Sequence, residues 1–316
     1  MGEFELIRQF FQPLADSAGT EQLILGPGDD CAIQRVPPGR DLVFSVDTLV
    51  EGVHFPEHYH SEYLGWRALA VASSDLAAMG ANPVCFTLAL TLPKADENWL
   101  AGFARGLARG SKAFGIALAG GDTTRGPLTL TLQVHGTVEQ GAALCRHGAR
   151  PGDLVCVSGQ LGDAGAALDF LTNPDPSATQ RQVLERYHFP EPRLALGRQL
   201  AGRASAAIDI SDGLLADLQH ILQASGVGAC LNAGDIPISA ALRQLRGEQA
   251  TELALTAGDD YQLCITISPA QWQQLPGPVQ QELTVVGHIE AQPGLRVKGA
   301  PALPASTGFD HFGSKL

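Results

Sequence analysis

At 316 residues, 45% of them hydrophobic and 17% charged, the chain can bury a large core and is long enough for two domains. A formal net charge of −12 argues against nucleic acid or an anionic membrane as a partner, because both need a basic footprint, and no apolar run is long enough to span a bilayer. Cys31, Cys85, Cys145, Cys156, Cys230 and Cys264 contain no C-x-x-C pair and no metal-type spacing, so they read as buried thiols of a cytoplasmic protein.

Residues 3–14 place Phe4, Ile7, Phe10 and Phe11 on one helical face, which predicts an amphipathic helix with a structural role. Residues 26–30, Gly-Pro-Gly-Asp-Asp, form a tight turn, followed by strands over 31–36 and 41–47 on either side of Pro37-Pro38-Gly39. The loop 48–60 carries His54, His58 and His60, whose spacing matches no common zinc pattern, so a substrate contact by one of them is the better reading. A long helix follows over 61–79, then a strand over 84–92, a helix over 97–114, a strand over 116–119 and an alternating strand over 128–138. The Gly- and Arg-rich stretch 139–152 marks the boundary between domains 1–148 and 149–316.

In the second half, a strand over 154–158 leads through Gly159, Gly162 and Gly165 into a helix reaching Leu171. Those glycines are spaced G-x-x-G-x-x-G, a tight strand-to-helix turn and not the dinucleotide fingerprint G-x-G-x-x-G. The four prolines within 173–192 suggest a surface excursion. A short strand over 206–210 holds Asp209, and Ser211-Asp212-Gly213 precede a helix starting near Leu214, where Ser or Asp could be no more than a cap. Strands over 261–267 and 283–289 complete the second half, and the tail 307–312 is rich in Gly, aromatic and His residues.

Asp75 lies inside an apolar helical run with no Lys or Arg between Arg67 and Lys94. A charge withdrawn from water needs a partner, and either a metal ion or hydrogen bonds from a neighbouring loop would serve. Asp29, Asp30, Asp47 and Asp122 each stand in a glycine turn or at the end of an apolar element. Carboxylates so placed suit a hard cation such as Mg²⁺, which also takes water and phosphate oxygens. No Walker A sequence and no kinase-type Gly-rich loop with its partner motifs occurs in the chain.

Six motifs in order, GPGDDCA (26–32), SVDTLVEGVHF (45–55), SSDLAAMGANP (73–83), GGDTTRGP (120–127), IDISDGL (208–214) and AGDDYQL (257–263), resemble the thiamine-monophosphate kinase family. The resemblance implies an α/β, two-domain fold like that of aminoimidazole ribonucleotide synthetase, with an N-terminal dimerising domain and a C-terminal α/β domain. It implies transfer of the γ-phosphate of ATP to thiamine monophosphate with Mg²⁺. Carried over by position, it implies Mg²⁺ ligation by Asp30, Ser45, Asp47, Asp75, Asp122, Asp209 and Asp212. It further implies ATP contacts at Gly121, Arg146 and Ser211, thiamine-phosphate contacts at His54, Asp259 and Phe309, and a homodimer, for which the uncharged run 84–92 is a candidate surface. Two positions depart from the family pattern: Asp259 stands where Glu is common, and Val46 stands where a hydroxyl residue is common before Asp47. The alternatives are another ATP-dependent enzyme of the same superfamily or a non-enzymatic binding protein for thiamine phosphates.

Overall fold

The structure, a computed structural model, describes residues 3–17, 20–299 and 308, so the expected contact at Phe309 and nearly all of the tail lie outside the described residues. The chain divides into two compact units, one of residues 1–76 and 81–142, the other of residues 77–80 and 143–316.

The N-terminal unit opens with the short helix Glu3–Leu6, a π-helical turn over Ile7–Phe11 and the helix Gln12–Ser17. Strands β1 (Leu23–Leu25) and β2 (Ile33–Gln34) pair with each other, so only two residues of the strand expected over 31–36 form one. The main sheet has four strands: β3 (Arg40–Val50), β4 (Asn82–Leu92), β5 (Ala117–Arg125) and β6 (Thr129–Glu139), in the order β3-β6-β4-β5. Helices α1 (Ser61–Ala78) and α2 (Glu97–Phe114) supply its core, where Leu64, Leu69, Leu76, Phe103 and Leu107 are fully buried. Asp96 caps α2 by accepting from the N–H groups of Asn98 and Trp99, and Gly115 ends it in the left-handed conformation.

Two expectations are corrected here. The run 84–92 is no free surface: β4 is paired on one edge with β5 and on the other with β6, and Val84, Phe86, Leu88 and Leu90 are buried. A row of uncovered apolar residues stands instead on β3, where Leu42, Phe44 and Val46 are 43%, 61% and 60% exposed, and Ile24, Ile33 and Val53 are exposed elsewhere in the same unit. β5 also runs on past Ala119 through Gly120-Gly121-Asp122 to Arg125. A Cβ on Gly121 would lie 1.9 Å from the Leu88 carbonyl oxygen, so only glycine lets the two backbones approach this closely.

The C-terminal unit is a six-stranded sheet of β7 (Leu154–Ser158), β8 (Ala206–Ile210), β9 (Gly228–Asn232), β10 (Gln262–Ile267), β11 (Leu283–Glu290) and β12 (Gly294–Lys298). Its order is β12-β9-β11-β7-β10-β8, with β12 and β9 parallel and the other pairs antiparallel. Every residue of β8 and β10 is buried, and both runs are rich in Ala, Ile, Leu and Cys although β8 stands at the edge of the sheet. Helix α3 (Asp163–Ala167) follows the glycine turn after β7. The stretch 173–192 is not merely a surface excursion, because it contains helix α4 (Ala178–His188), closed by a Ser177/Gln180 capping box and burying Val183, Leu184 and Tyr187. Helix α5 (Leu194–Leu200) precedes β8, and helix α6 (Leu214–Ser225) follows it.

All six cysteines are free, but only Cys85, Cys156, Cys230 and Cys264 are buried. Cys31 is exposed beside Asp30 and Cys145 is half-buried, so burial does not extend to all six thiols. Among the described residues no helix is long and apolar enough to cross a membrane.

Candidate active site

In the N-terminal unit, the alternation of β3 turns Ser45 and Asp47 to the face opposite that of Phe44 and Val46. The Ser45 hydroxyl donates to the Asp75 carboxylate, which α1 brings up from the buried run around it. Asp47 lies close enough to Asp75 to feel its charge. Burial, and then that charge, push the Asp47 carboxyl up to about 6. Two carboxylates and a hydroxyl thus meet in a half-buried place, and a hard divalent ion would relieve the repulsion. The donor set fits Mg²⁺ in being all oxygen. It is also incomplete, since among the described residues no group of three or more His, Cys, Asp or Glu side chains is arranged to hold a metal.

Asp30, Gly121 and Asp122 come together elsewhere in the same unit, on the wall of a cavity of about 800 Å³. The wall also includes Pro27, Gly28 and Asp29 from the turn before β2, and Thr87 and Leu88 from β4. Ile7, Arg8, Phe11 and Gln12 line it from the π-helical turn and the helix after it, so the N-terminal helix does more than pack on the domain. Among the described residues, Arg8 is the one cation on a wall whose other charged residues are Asp29, Asp30 and Asp122. Nothing in the hydrophobic periodicity of residues 3–14 signalled that role. The π-helical turn, a feature common at functional sites, does so in the structure.

Asp47 and Asp122 are not neighbours. Across the sheet, Thr48 pairs with Thr131, Thr131 with Ala89 and Ala89 with Asp122, so three strand spacings of about 4.8 Å each separate the two edges. His54 stands beyond β3, and its Nδ1 accepts the Val50 N–H at 3.0 Å, which leaves Nε2 as the proton-bearing nitrogen of the neutral ring.

In the C-terminal unit, Asp209 is 6% exposed near the end of β8, and Ser211 and Asp212 follow in the turn to α6. Ser211 and Asp259 are tied together: the Asp259 N–H donates to the Ser211 carbonyl at 2.9 Å, and the Tyr261 N–H to the Ile210 carbonyl at 2.8 Å. Asp259 and Tyr261 both have positive φ, 69° and 49°, a conformation that side-chain-bearing residues adopt at a cost and that clusters at functional sites. The Tyr261 hydroxyl donates to the Asp259 carboxylate at 2.9 Å. Between them Asp260 is buried, accepts the Gly162 N–H at 2.8 Å, and has its carboxyl pushed well above the usual range by burial. Arg146 is exposed, its carbonyl accepting from the Ser225 hydroxyl. Sequence reasoning passed over Asp217, whose carboxylate gathers the N–H groups of Ser211, Asp212 and Gly213, and over Asp260. The doubled acid in AGDDYQL was the available signal for the second.

Residues 28–138 match the model of the AIR synthase related protein, N-terminal domain, and residues 150–300 that of the AIR synthase related protein, C-terminal domain. Over 321 residues the chain is 42% identical to the thiamine-monophosphate kinase of Escherichia coli (strain K12), covering 98% of both. Among solved structures it is similar to the thiamine-monophosphate kinase from Stenotrophomonas maltophilia K279a, with 43% identity and a TM-score of 0.84 over 89% of this chain and 93% of that one. It is similar also to AaThiL complexed with AMPPCP and TMP, with 31% identity and a TM-score of 0.80 over 98% of this chain and 97% of that one.

Proposed function

The chain belongs to the thiamine-monophosphate kinase family, and from that premise we propose that it transfers the γ-phosphoryl group of ATP to thiamine monophosphate, giving thiamine diphosphate and ADP. The observation that carries this reading is the cavity of about 800 Å³ whose wall brings Asp30, Gly121 and Asp122 together, large enough for a nucleotide and rich in acid. A polyanion enters such a wall only if its charge is met, and among the described residues Arg8 is the single cation there.

Mg²⁺ would be held by Asp30, Ser45, Asp47, Asp75 and Asp122 in the N-terminal unit and by Asp209 and Asp212 in the C-terminal unit. When bound, it neutralises the phosphate oxygens. ATP contacts fall to Gly121, Arg146 and Ser211, and thiamine-monophosphate contacts to His54, Asp259 and Phe309. The chain's own residues need supply no general base, because the acceptor atom is already an anionic phosphate oxygen. Their work is to bind and orient. His54, with its Nδ1 occupied by Val50, offers an N–H to the acceptor's phosphate. Asp259, fixed by Ser211 and Tyr261, offers a carboxylate to the cationic thiazolium end. The domains act as 1–148 and 149–316, in the cytoplasm, which suits the free thiols. A second copy pairs through the uncovered row Leu42, Phe44 and Val46 of β3.

ADP release measured with and without thiamine monophosphate tests the reaction. Release that depends on the acceptor and stops with EDTA is the expected result. Binding of thiamine phosphates without ADP release would make the protein a carrier, and release driven by another acceptor would make it a different enzyme of the superfamily.

A further inference from the structure

We propose that Asp217 is a positioning residue for phosphoryl transfer: it fills the amide nest of the Ser211–Gly213 turn and leaves the Ser211 hydroxyl as that residue's contact for the nucleotide. The role rests on the kinase reading of the site.

Asp217 is 2% exposed, and its Oδ2 accepts three successive N–H groups, from Ser211 at 3.0 Å, Asp212 at 3.0 Å and Gly213 at 3.1 Å. It is the fourth residue of α6 and reaches back past the start of its own helix. An ordinary cap satisfies N–H groups inside the first turn. Here two of the three donors, Ser211 and Asp212, lie ahead of the N-cap residue Gly213, so the carboxylate shapes the incoming turn as well as the helix. Gly213 itself has no side chain to cap with. A Cβ there would lie 2.6 Å from the Thr256 carbonyl oxygen, so the position cannot take the usual Ser or Asp.

Successive N–H groups pointing at one place form a concave anion site. In this turn a side chain of the protein already occupies it, and a phosphate cannot use those amides as well. The other main-chain group of Ser211 is also taken, since its carbonyl accepts the Asp259 N–H at 2.9 Å. With both its N–H and its carbonyl engaged, Ser211 has its hydroxyl left for a ligand. The turn is thus held from two sides, by Asp217 through its amides and by the positive-φ residues Asp259 and Tyr261 through the Ser211 and Ile210 carbonyls. A phosphoryl donor placed by this turn takes its position from Asp217 without touching it.

The test compares the full-length wild type with Asp217→Ala, Asp217→Asn, Asp217→Glu and Ser211→Ala. The readouts are kcat, the KM of each substrate, the melting temperature and amide hydrogen exchange. In Asp217→Ala, exchange at residues 211–213 accelerates while residues 218–225 stay protected, and kcat falls at least about tenfold, well inside what a displacement of about 1 Å costs. The KM for thiamine monophosphate rises by a smaller factor than kcat falls, since Asp259, tied to the turn through the Ser211 carbonyl, is held also by the Tyr261 hydroxyl. Asp217→Asn keeps an acceptor oxygen and restores most of kcat. Ser211→Ala raises the KM for ATP with exchange unchanged.

Unchanged kcat in Asp217→Ala overturns the proposal, and so does loss of protection along the whole of α6, the mark of a simple helix cap. Should Asp217→Ala fail to fold, Asp217→Glu decides. It keeps the charge and lengthens the arm, so kcat falls at least about tenfold at a melting temperature near wild type, and an unchanged kcat overturns the proposal. A wild type that releases no ADP with thiamine monophosphate sinks the kinase reading. The exchange pattern still judges whether Asp217 holds the turn.

Discussion

In the N-terminal unit, Asp30 and Asp122 stand exposed on a cavity wall, and Asp47 feels the charge of Asp75, whose carboxylate accepts from the Ser45 hydroxyl. In the C-terminal unit, Asp153, Asp163, Asp217 and Asp260 are between 2% and 8% exposed, and each accepts a hydrogen bond from a backbone N–H or a serine hydroxyl of its own unit. Acids of the first kind have been left in want of positive charge, and acids of the second kind have been used up in holding turns. The same residue type after a strand or beside a glycine is therefore left open to a ligand in one place and bound into the scaffold in another. Backbone N–H groups meet Asp153, Asp217 and Asp260, whereas Asp75 has a hydroxyl and Asp47 has a second carboxylate beside it.

The strongest way to break that contrast is Asp75→Asn. The amide keeps an oxygen for the Ser45 hydroxyl and removes the repulsion on Asp47, so the melting temperature holds or rises. Activity falls at least about a hundredfold, the upper end of what losing a residue one layer outside a metal site costs. ADP release and thermal melting on the same sample check both halves. Activity near wild type would move Asp75 into the scaffold class, and a collapsed fold would do the same by another route.

Next in size is the contrast between the two faces of β3. Phe44 is 61% exposed on the side away from Ser45 and Asp47, and if a second copy covers it the chain is a dimer at micromolar concentration. Phe44→Asp then raises the dimer dissociation constant at least about thirtyfold, the equivalent of about 2 kcal/mol for a buried aromatic anchor. Sedimentation velocity reads it directly. A wild type that sediments as a monomer at that concentration would end the dimer reading.

Much of this was legible in the sequence, and the rest was hidden for definite reasons. Period-2 alternation located β6, and helical spacing located α2, because one face of each is buried and the pattern has to follow, whereas α1 showed itself as an apolar run buried on nearly every side. The run 84–92 misled because an uncharged strand reads alike whether it lies inside a sheet or at its surface. Only the pairing with β5 and β6 distinguishes the two. Four prolines concealed α4, although its capping box at Ser177 and Gln180 was there to be read. At the site, the residues that the motifs assign to ligands could be named in advance. The roles of Asp217 and Asp260 could not, since each depends on amides that only the folded turn brings together.

A smaller effect belongs to His54, half-buried at the end of β3 with its Nδ1 committed to Val50. In the proposed role, His54→Ala removes one N–H donor to the acceptor's phosphate and raises the KM for thiamine monophosphate about tenfold, the lower end of what a hydrogen bond to a charged group is worth. The KM for ATP stays unchanged, because the nucleotide is met by other residues. An equal rise in both constants would make His54 a support of the loop and place it with the scaffold residues.

The smallest effect is a slope, and it sharpens the scaffold side of the contrast. Burial holds the Asp260 carboxyl well above its ordinary value of 3.8, with the nearby charges of Asp163 and Asp259 adding to the rise, and the Gly162 and Ala164 N–H groups oppose it only in part. An acid whose pKa is higher in the folded state binds more protons there than in the unfolded chain. Between the unfolded value and the raised one, stability therefore falls as pH increases. Burial raises Asp163 in the same direction, so the wild-type slope is a sum and has to be read by difference. Asp260→Asn keeps an oxygen for the Gly162 N–H and cannot ionise. Its melting temperature should therefore decline less than that of the wild type from pH 4 toward neutrality, the two curves diverging as pH rises. Parallel curves would mean that Asp260 is ionised at little cost, and that the turn between Asp259 and Tyr261 is held by its backbone bonds alone.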